Sequence, residues 1–73
     1  MVSDHTIISI DARGLRCPLP VLRLARALRE HPAAEAFSLV ADDPAATTDV
    51  PAFAGERGLV CEPTGSHAWL IRR

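Results

Sequence analysis

The hydrophobic period of this chain changes once near its start, and the change falls on a cysteine set between a glycine loop and two prolines. In "TIISIDARGLRCPLPVLRLARAL", Ile8, Ile10 and Ala12 fall on alternate positions, the period-two pattern of a strand over residues 6–12. From Pro18 onward, Val21, Leu24, Ala25 and Leu28 stand at i, i+3, i+4 and i+7, one stripe of an amphipathic helix, with Arg23, Arg26, Arg29 and Glu30 off that stripe. Residues 13–16 form the loop between them, with Gly14 as its hinge. The helix stops at "EHPAA", because Pro32 disfavours helical geometry at His31. A strand that runs straight into an amphipathic helix has two apolar faces to bury, so the chain is committed to a layer of sheet and a layer of helix.

The rest of the sequence repeats the alternation. Phe37, Leu39 and Ala41 share one face of a second strand, "AFSLVA". In "DDP", Asp43 reads as an N-cap and Pro44 as the first helical residue. This predicts a second helix over about residues 44–55, broken or kinked at Pro51 and closed by Gly55 and Gly58. "LVCEPT" and "HAWLIRR" read as two strands joined at Gly65-Ser66, with Gly65 in the first central position of a type II′ turn. The order is βαβαββ, and right-handed crossovers put both helices on one face of the sheet. The expected fold is an α/β (α+β) two-layer sandwich with a mixed four-stranded sheet. Its bare face would carry Ile7, Val40, Val60 and either Trp69 or its neighbours.

At 73 residues the expectation is a single domain over residues 1–73, with a core near the lower size limit. Cys17 and Cys61, far apart in sequence, do not make a disulfide framework. With a net charge of -1 and only Phe37, Phe53 and Trp69 as aromatics, the chain lacks the basic patch and stacking rings of a direct nucleic-acid binder. No apolar run is long enough for a membrane span, and "MVSDHTIISI" has no basic region followed by an apolar run and a cleavage site. The expected location is the cytoplasm, where a cysteine is a reactive thiol or a small buried hydrophobe rather than half of a disulfide.

Cys17 reads as the N-cap of the first helix. The positive end of the helix dipole favours a thiolate there, and Arg13 and Arg16 add positive potential if they turn inward. Pro18 and Pro20, at the first and third helical positions, lack N–H groups, so only Leu19 and Val21 offer donors to an anion. The expectation is a moderately favoured thiolate, in the upper part of the range of roughly 3.5 to 7.5 for activated cysteines. The prolines also stiffen the corner that carries the sulfur. The same residues fit a small buried cysteine before an ordinary proline-started helix.

"DARGLRCPLPVLRLARAL" resembles the signature of the TusA/SirA-like sulfur-carrier family: an acidic residue, a glycine-leucine loop, then C-P-x-P opening a helix. "ADDPAATTDVPAF" is similar to that family's second segment, D-P-x-x-x-x-D-[IV]-P-x-F. The resemblance implies the two-layer fold and a sulfane sulfur carried as a persulfide on Cys17. It gives supporting places in the loop and helix start to Asp11, Gly14, Arg16, Pro18 and Pro20, Asp11 by orienting the loop through backbone N–H groups. It also implies a donor protein, such as a cysteine desulfurase or a rhodanese-type sulfurtransferase, and an acceptor protein. The destination is tRNA thiolation, molybdenum-cofactor assembly or the oxidation of reduced sulfur. Some members carry a second cysteine just after the phenylalanine of the second segment, where this chain has Ala54.

Other constellations carry less. His5, His31, His67 and the cysteines show no ligand spacing, so no metal and no organic cofactor is expected. Asp42, Asp43 and Asp49 read as helix caps and solvated charge rather than as a catalytic pair. Cys61 falls on the same strand alternation as Leu59 and reads as a core-facing residue, a resolving partner for Cys17 being the other reading. Arg23, Arg26 and Arg29 recur every third residue; such a row is a wet helix face or, beside a carrier sulfur, a docking stripe that Arg13 would extend. A different class of function stays in view: a regulatory or interaction module in which Cys17 is a redox sensor or idle. Persulfide formation separates the two.

Overall fold

The computed structural model describes residues 6–73; residues 1–5, and with them His5 and half of the N-terminal stretch read above, lie outside the described residues. The elements are β1 (Ile7–Asp11), α1 (Leu19–Glu30), β2 (Ala36–Val40), α2 (Ala46–Glu56), β3 (Val60–Gly65) and β4 (Ala68–Arg72), in the expected order. The four-stranded sheet runs β1-β2-β4-β3, with β1 and β2 parallel and the other two pairs antiparallel. β1, α1 and β2 therefore form a direct βαβ unit. Its two strands end side by side, Asp11 opposite Val40, and Ala12 N–H extends the ladder to the Val40 carbonyl at 2.7 Å.

The period-two pattern fixes which side of each strand is buried. Ile8, Phe37, Ile71 and Cys61 are register partners in one row across the sheet; Ile10, Leu39 and Trp69 form the next. Leu24, Ala27 and Leu28 of α1 and Ala46 and Val50 of α2 close over these rows in a single cluster. Pro20 is also fully buried, so the second proline of the corner is a core residue as well as a stiffener. Trp69 thus faces the helices, and its neighbours Ala68 and Leu70 take the bare face. There Ile7 and Val60 stay exposed and an Arg72–Glu62 ion pair of 3.0 Å crosses the surface.

Two expectations are corrected. α2 starts at Ala46, not at residue 44, and it runs unbroken through Pro51. Asp43 and Pro44 instead open a tighter turn: Asp43 Oδ1 accepts from Ala45 N–H, and the Asp43 carbonyl accepts from Ala46 N–H at 2.9 Å. Pro51 costs the helix one donor, the one that would reach the Thr47 carbonyl; both residues are exposed, so water can take that acceptor. At the other end Gly58, with φ +70°, completes a Schellman motif: Leu59 N–H bonds the Ala54 carbonyl at 2.8 Å and Gly58 N–H bonds that of Gly55 at 3.2 Å. The hairpin also differs. Gly65 is the last residue of β3, paired with Ala68, so Ser66 and His67 make the turn, and the register shifts between Pro63 and Gly65. His67 is held from outside, its carbonyl accepting from Ala41 N–H at 3.1 Å, and this cross-link sets the loop one residue beyond the II′ position.

Arg73 closes the helix layer in a way its exposed position in the sequence does not suggest. Its guanidinium donates to the carbonyls of Ala34, Leu28 and His31, at 2.9, 3.2 and 2.9 Å, and lies over the Phe37 ring at 5.5 Å. Two of these carbonyls belong to the C-terminal end of α1 and its cap, which α-helices leave without internal partners. Arg73→Ala is expected to cost about 1–3 kcal/mol, seen as a lower urea midpoint with an unchanged slope. An unchanged midpoint would mean that water replaces the guanidinium at no cost.

Candidate functional site

The loop between β1 and α1 is shaped locally and then gripped from a distance. Gly14, with φ +82°, takes the left-handed position of a turn closed by Leu15 N–H on the Ala12 carbonyl at 3.2 Å. A second turn, Leu19 N–H on the Arg16 carbonyl at 2.7 Å, leads into α1. The first α-helical bond runs from Leu22 N–H to the Pro18 carbonyl at 3.0 Å. Pro18 is therefore the N-cap and Pro20 the second helical residue, and Cys17 sits one place before the cap rather than on it. The peptide bond between Cys17 and Pro18 is cis.

Cys17 is exposed, and its immediate environment is acidic. Its backbone N–H donates to Asp43 Oδ2, while its thiol donates to Asp49 Oδ2 at 2.7 Å. Asp42 Oδ1 holds Gly14 N–H at 3.0 Å. The three aspartates read as caps and solvated charge are thus the residues that hold the cysteine corner, across separations of 26, 28 and 32 positions. Asp11 reaches only the loop's first residue: its carboxylate accepts from Arg13 N–H at 3.1 Å and from the Arg13 guanidinium at 2.9 and 3.0 Å. That pairing draws the Asp11 carboxyl down to about 2 and gives the Arg13 guanidinium a carboxylate partner of its own.

These contacts reverse the expected thiolate. The Cys17 thiol is pushed above the ordinary range, first by its hydrogen bond to Asp49, then by partial desolvation, then by the negative charges of Asp49 and Asp43. A second negative charge beside a carboxylate is unfavourable, and being one residue short of the cap takes the sulfur out of the helix's own N–H groups. Cys61, by contrast, is half-buried against the core opposite Ile71, and burial alone raises its thiol.

The sulfur opens into a cleft of about 350 Å³ between the start of α1 and α2, lined by Pro18, Val21, Asp49, Ala52, Phe53 and Glu56. A second cavity of about 350 Å³ lies behind the loop, walled by Gly14, Leu15, Arg16, Asp42, Asp43 and Pro44. Ala54, one residue past Phe53, is fully buried. Beside the sulfur, the outward side of α1 exposes Leu19 and Leu22, at 46% and 53%, next to Arg23 and Arg26. Leu19 and Leu22 lie off the buried stripe, and an apolar residue off the stripe was the sequence signal for them. Arg26 is bonded to Glu30 at 2.8 Å, and both Arg23 and Arg26 border a groove against β1 with Ile8, Asp11 and His31.

Cys17 at a loop–helix junction, its backbone N–H held by the D-P aspartate and its thiol by the D-V-P aspartate of the second segment, is the arrangement that joins the two sequence motifs into one site. The family model described as "Sulfurtransferase TusA" matches residues 8–72, nearly the whole of the described chain, so the protein belongs to the TusA family of sulfur carriers, whose members work with sulfur donor and acceptor proteins.

Proposed function

We propose that this protein accepts a sulfane sulfur as a persulfide on Cys17 and passes it to an acceptor protein. The observation that carries the reading is the exposed Cys17 thiol at the mouth of a cleft, against Cys61 half-buried in the core side of the sheet. Transfer is thiol–disulfide-like exchange: a thiolate attacks the sulfane sulfur and the donor's thiolate leaves. It needs no metal or organic cofactor. Among the described residues no helix is long and apolar enough to cross a membrane. The destinations open to such a carrier are tRNA thiolation, molybdenum-cofactor assembly and sulfur oxidation, and cytoplasmic residence suits all three. Incubation with cysteine and a cysteine desulfurase, or with a rhodanese-type donor, should add the mass of one sulfur atom to the peptide that contains Cys17, removable by a reducing thiol. Adduct on Cys61 alone would favour the regulatory reading, with Cys17 as a sensor or idle.

The exposed Leu19 and Leu22 with Arg23 and Arg26 give α1 a surface beside the sulfur on which a partner can dock. Neutralising Arg23 and Arg26 together to glutamine should slow sulfur receipt or delivery and flatten its salt dependence, while stability moves by no more than about 0.5 kcal/mol. Glutamine is the cleaner substitution at Arg26, since a reversed charge would also oppose Glu30. Unchanged transfer rates at low and high salt would leave the row as a solvated face.

A further inference from the structure

Cys17 is exposed, yet its sulfur is not a free nucleophile. Its thiol donates to Asp49 Oδ2 at 2.7 Å, in a cleft with Phe53 in its wall and Glu56 among its lining residues. Asp43 approaches from behind, through the Cys17 amide. Among the described residues, no basic one lines the cleft. The arginines nearby face other groups: Arg13 is paired with Asp11, Arg16 borders the cavity on the other side of the loop, and Arg57 lies over the Phe53 ring at 4.6 Å. The groups that bear on the Cys17 proton are Asp49 and Asp43, and both oppose its loss.

A sulfur donor makes this environment worse. A persulfide is more acidic than its parent thiol, and the donor leaves as a thiolate, so negative charge arrives and develops beside carboxylates. Like charges at contact distance repel, and among the described residues no buried counter-charge compensates them at the exposed Cys17. Among the described residues that line the cleft, none offsets that repulsion.

We propose that Asp49 is a positioning residue that makes sulfur loading partner-dependent: it holds Cys17 as a thiol turned into the cleft, and releases it when a docked donor protein pairs a basic side chain with the Asp49 carboxylate. This rests on the reading of Cys17 as the carrier sulfur. In the transfer, the bond between Cys17 and the sulfane sulfur forms as the donor's S–S bond breaks. The electron pair of that bond leaves on the donor's sulfur, which takes up the proton that Cys17 gives up. Thiol plus persulfide becomes persulfide plus thiol, with no net oxidation or reduction. Before docking, the same contact protects the thiol from small electrophiles and oxidants, which react with the thiolate.

The test compares the parent protein with Asp49→Asn in three reactions, each read by mass at the Cys17 peptide so that Cys61 can stay native. With neutral iodoacetamide across pH, Asp49→Asn is expected to shift the alkylation midpoint down and to react several-fold faster near neutral pH. With inorganic polysulfide, an anion, it is expected to load several-fold faster. With a cysteine desulfurase and cysteine, it is expected to load several-fold more slowly, because the donor's cation has lost its partner. Asp49→Glu, which keeps a carboxylate, should move all three back toward the parent values and controls for folding of α2. Glu56→Gln should raise polysulfide loading and leave the alkylation midpoint in place. Superimposable alkylation profiles overturn the proposal, as does desulfurase loading that rises in parallel with polysulfide loading. If neither protein loads from any sulfur source while the alkylation profiles still separate, the carrier reading itself fails and partner gating falls with it.

Discussion

Cys17→Ser is expected to take persulfide loading to nothing while leaving the fold in place. On the proposed carrier reading the loss is complete, because the carried sulfur would be bonded covalently to Sγ and a serine hydroxyl does not attack a sulfane sulfur under these conditions. The fold survives because the corner is held by groups that the substitution keeps. The Cys17 backbone N–H still reaches Asp43, Gly14 N–H still reaches Asp42, and a serine hydroxyl can donate to Asp49 as the thiol does. Exposed substitutions of this kind move stability by about 0.5 kcal/mol or less. Thermal unfolding and the loading assay on one preparation decide the matter. Cys61→Ser serves as the counterpart: loading at Cys17 should persist, with a stability loss from a hydroxyl placed against the core. Residual adduct on Cys17→Ser would mean that sulfur is carried elsewhere.

The largest stability effect is expected at Phe37. Its side chain is fully buried in the middle of the sheet, flanked in register by Ile8 and Ile71, with the Arg73 guanidinium over its ring. Phe37→Ala removes an aromatic side chain from a packed site and should cost about 3–5 kcal/mol. For a chain of 73 residues total stability is on the order of 4 to 11 kcal/mol, so the variant should lose a large share of it and, at the lower end of that range, be largely unfolded at physiological temperature. Circular dichroism and urea titration check this directly; a cooperative transition within about 1 kcal/mol of the parent would show that the neighbours collapse into the space. Phe37→Leu, which keeps most of the volume, should retain a transition but lose the stacking with Arg73.

Much of the molecule is legible from local pattern. The alternation of Ile8, Ile10 and Ala12, and of Phe37, Leu39 and Ala41, names the buried side of two strands, because side-chain direction in a strand has period two and one side has helices to cover it. The stripe of Leu24, Ala25 and Leu28 names the buried side of α1 for the corresponding reason. What local pattern misses is decided by contacts over long separations. Gly65 suits a II′ turn locally, but the Ala41–His67 bond and the pairing of Gly65 with Ala68 move the turn on by one residue. Pro51 breaks an isolated helix more readily than one whose Val50 and Ala54 are fully buried on either side of it.

The cysteine corner divides in the same way. The place of Cys17, at the turn from strand to helix and behind a proline-stiffened start, follows from the sequence, since period, glycine and prolines all act within a few residues. The chemistry of its sulfur does not. Local reasoning put the thiol on the positive end of a helix with arginines near it, which favours a thiolate. In the folded chain β1 and β2 are parallel neighbours that end at the same edge, Asp11 beside Val40, so the loops that follow them leave side by side. That adjacency brings Asp42 and Asp43 against Gly14 and Cys17, and α2 then delivers Asp49 to the sulfur. A hydrogen bond to a carboxylate at 2.7 Å outweighs a dipole that the sulfur, one residue short of the cap, no longer faces. The sequence by itself determined where Cys17 would stand; only the tertiary structure decided that carboxylates surround its sulfur and favour the thiol, because a proton's affinity depends on charges within a few ångströms, and those come from residues far away along the chain.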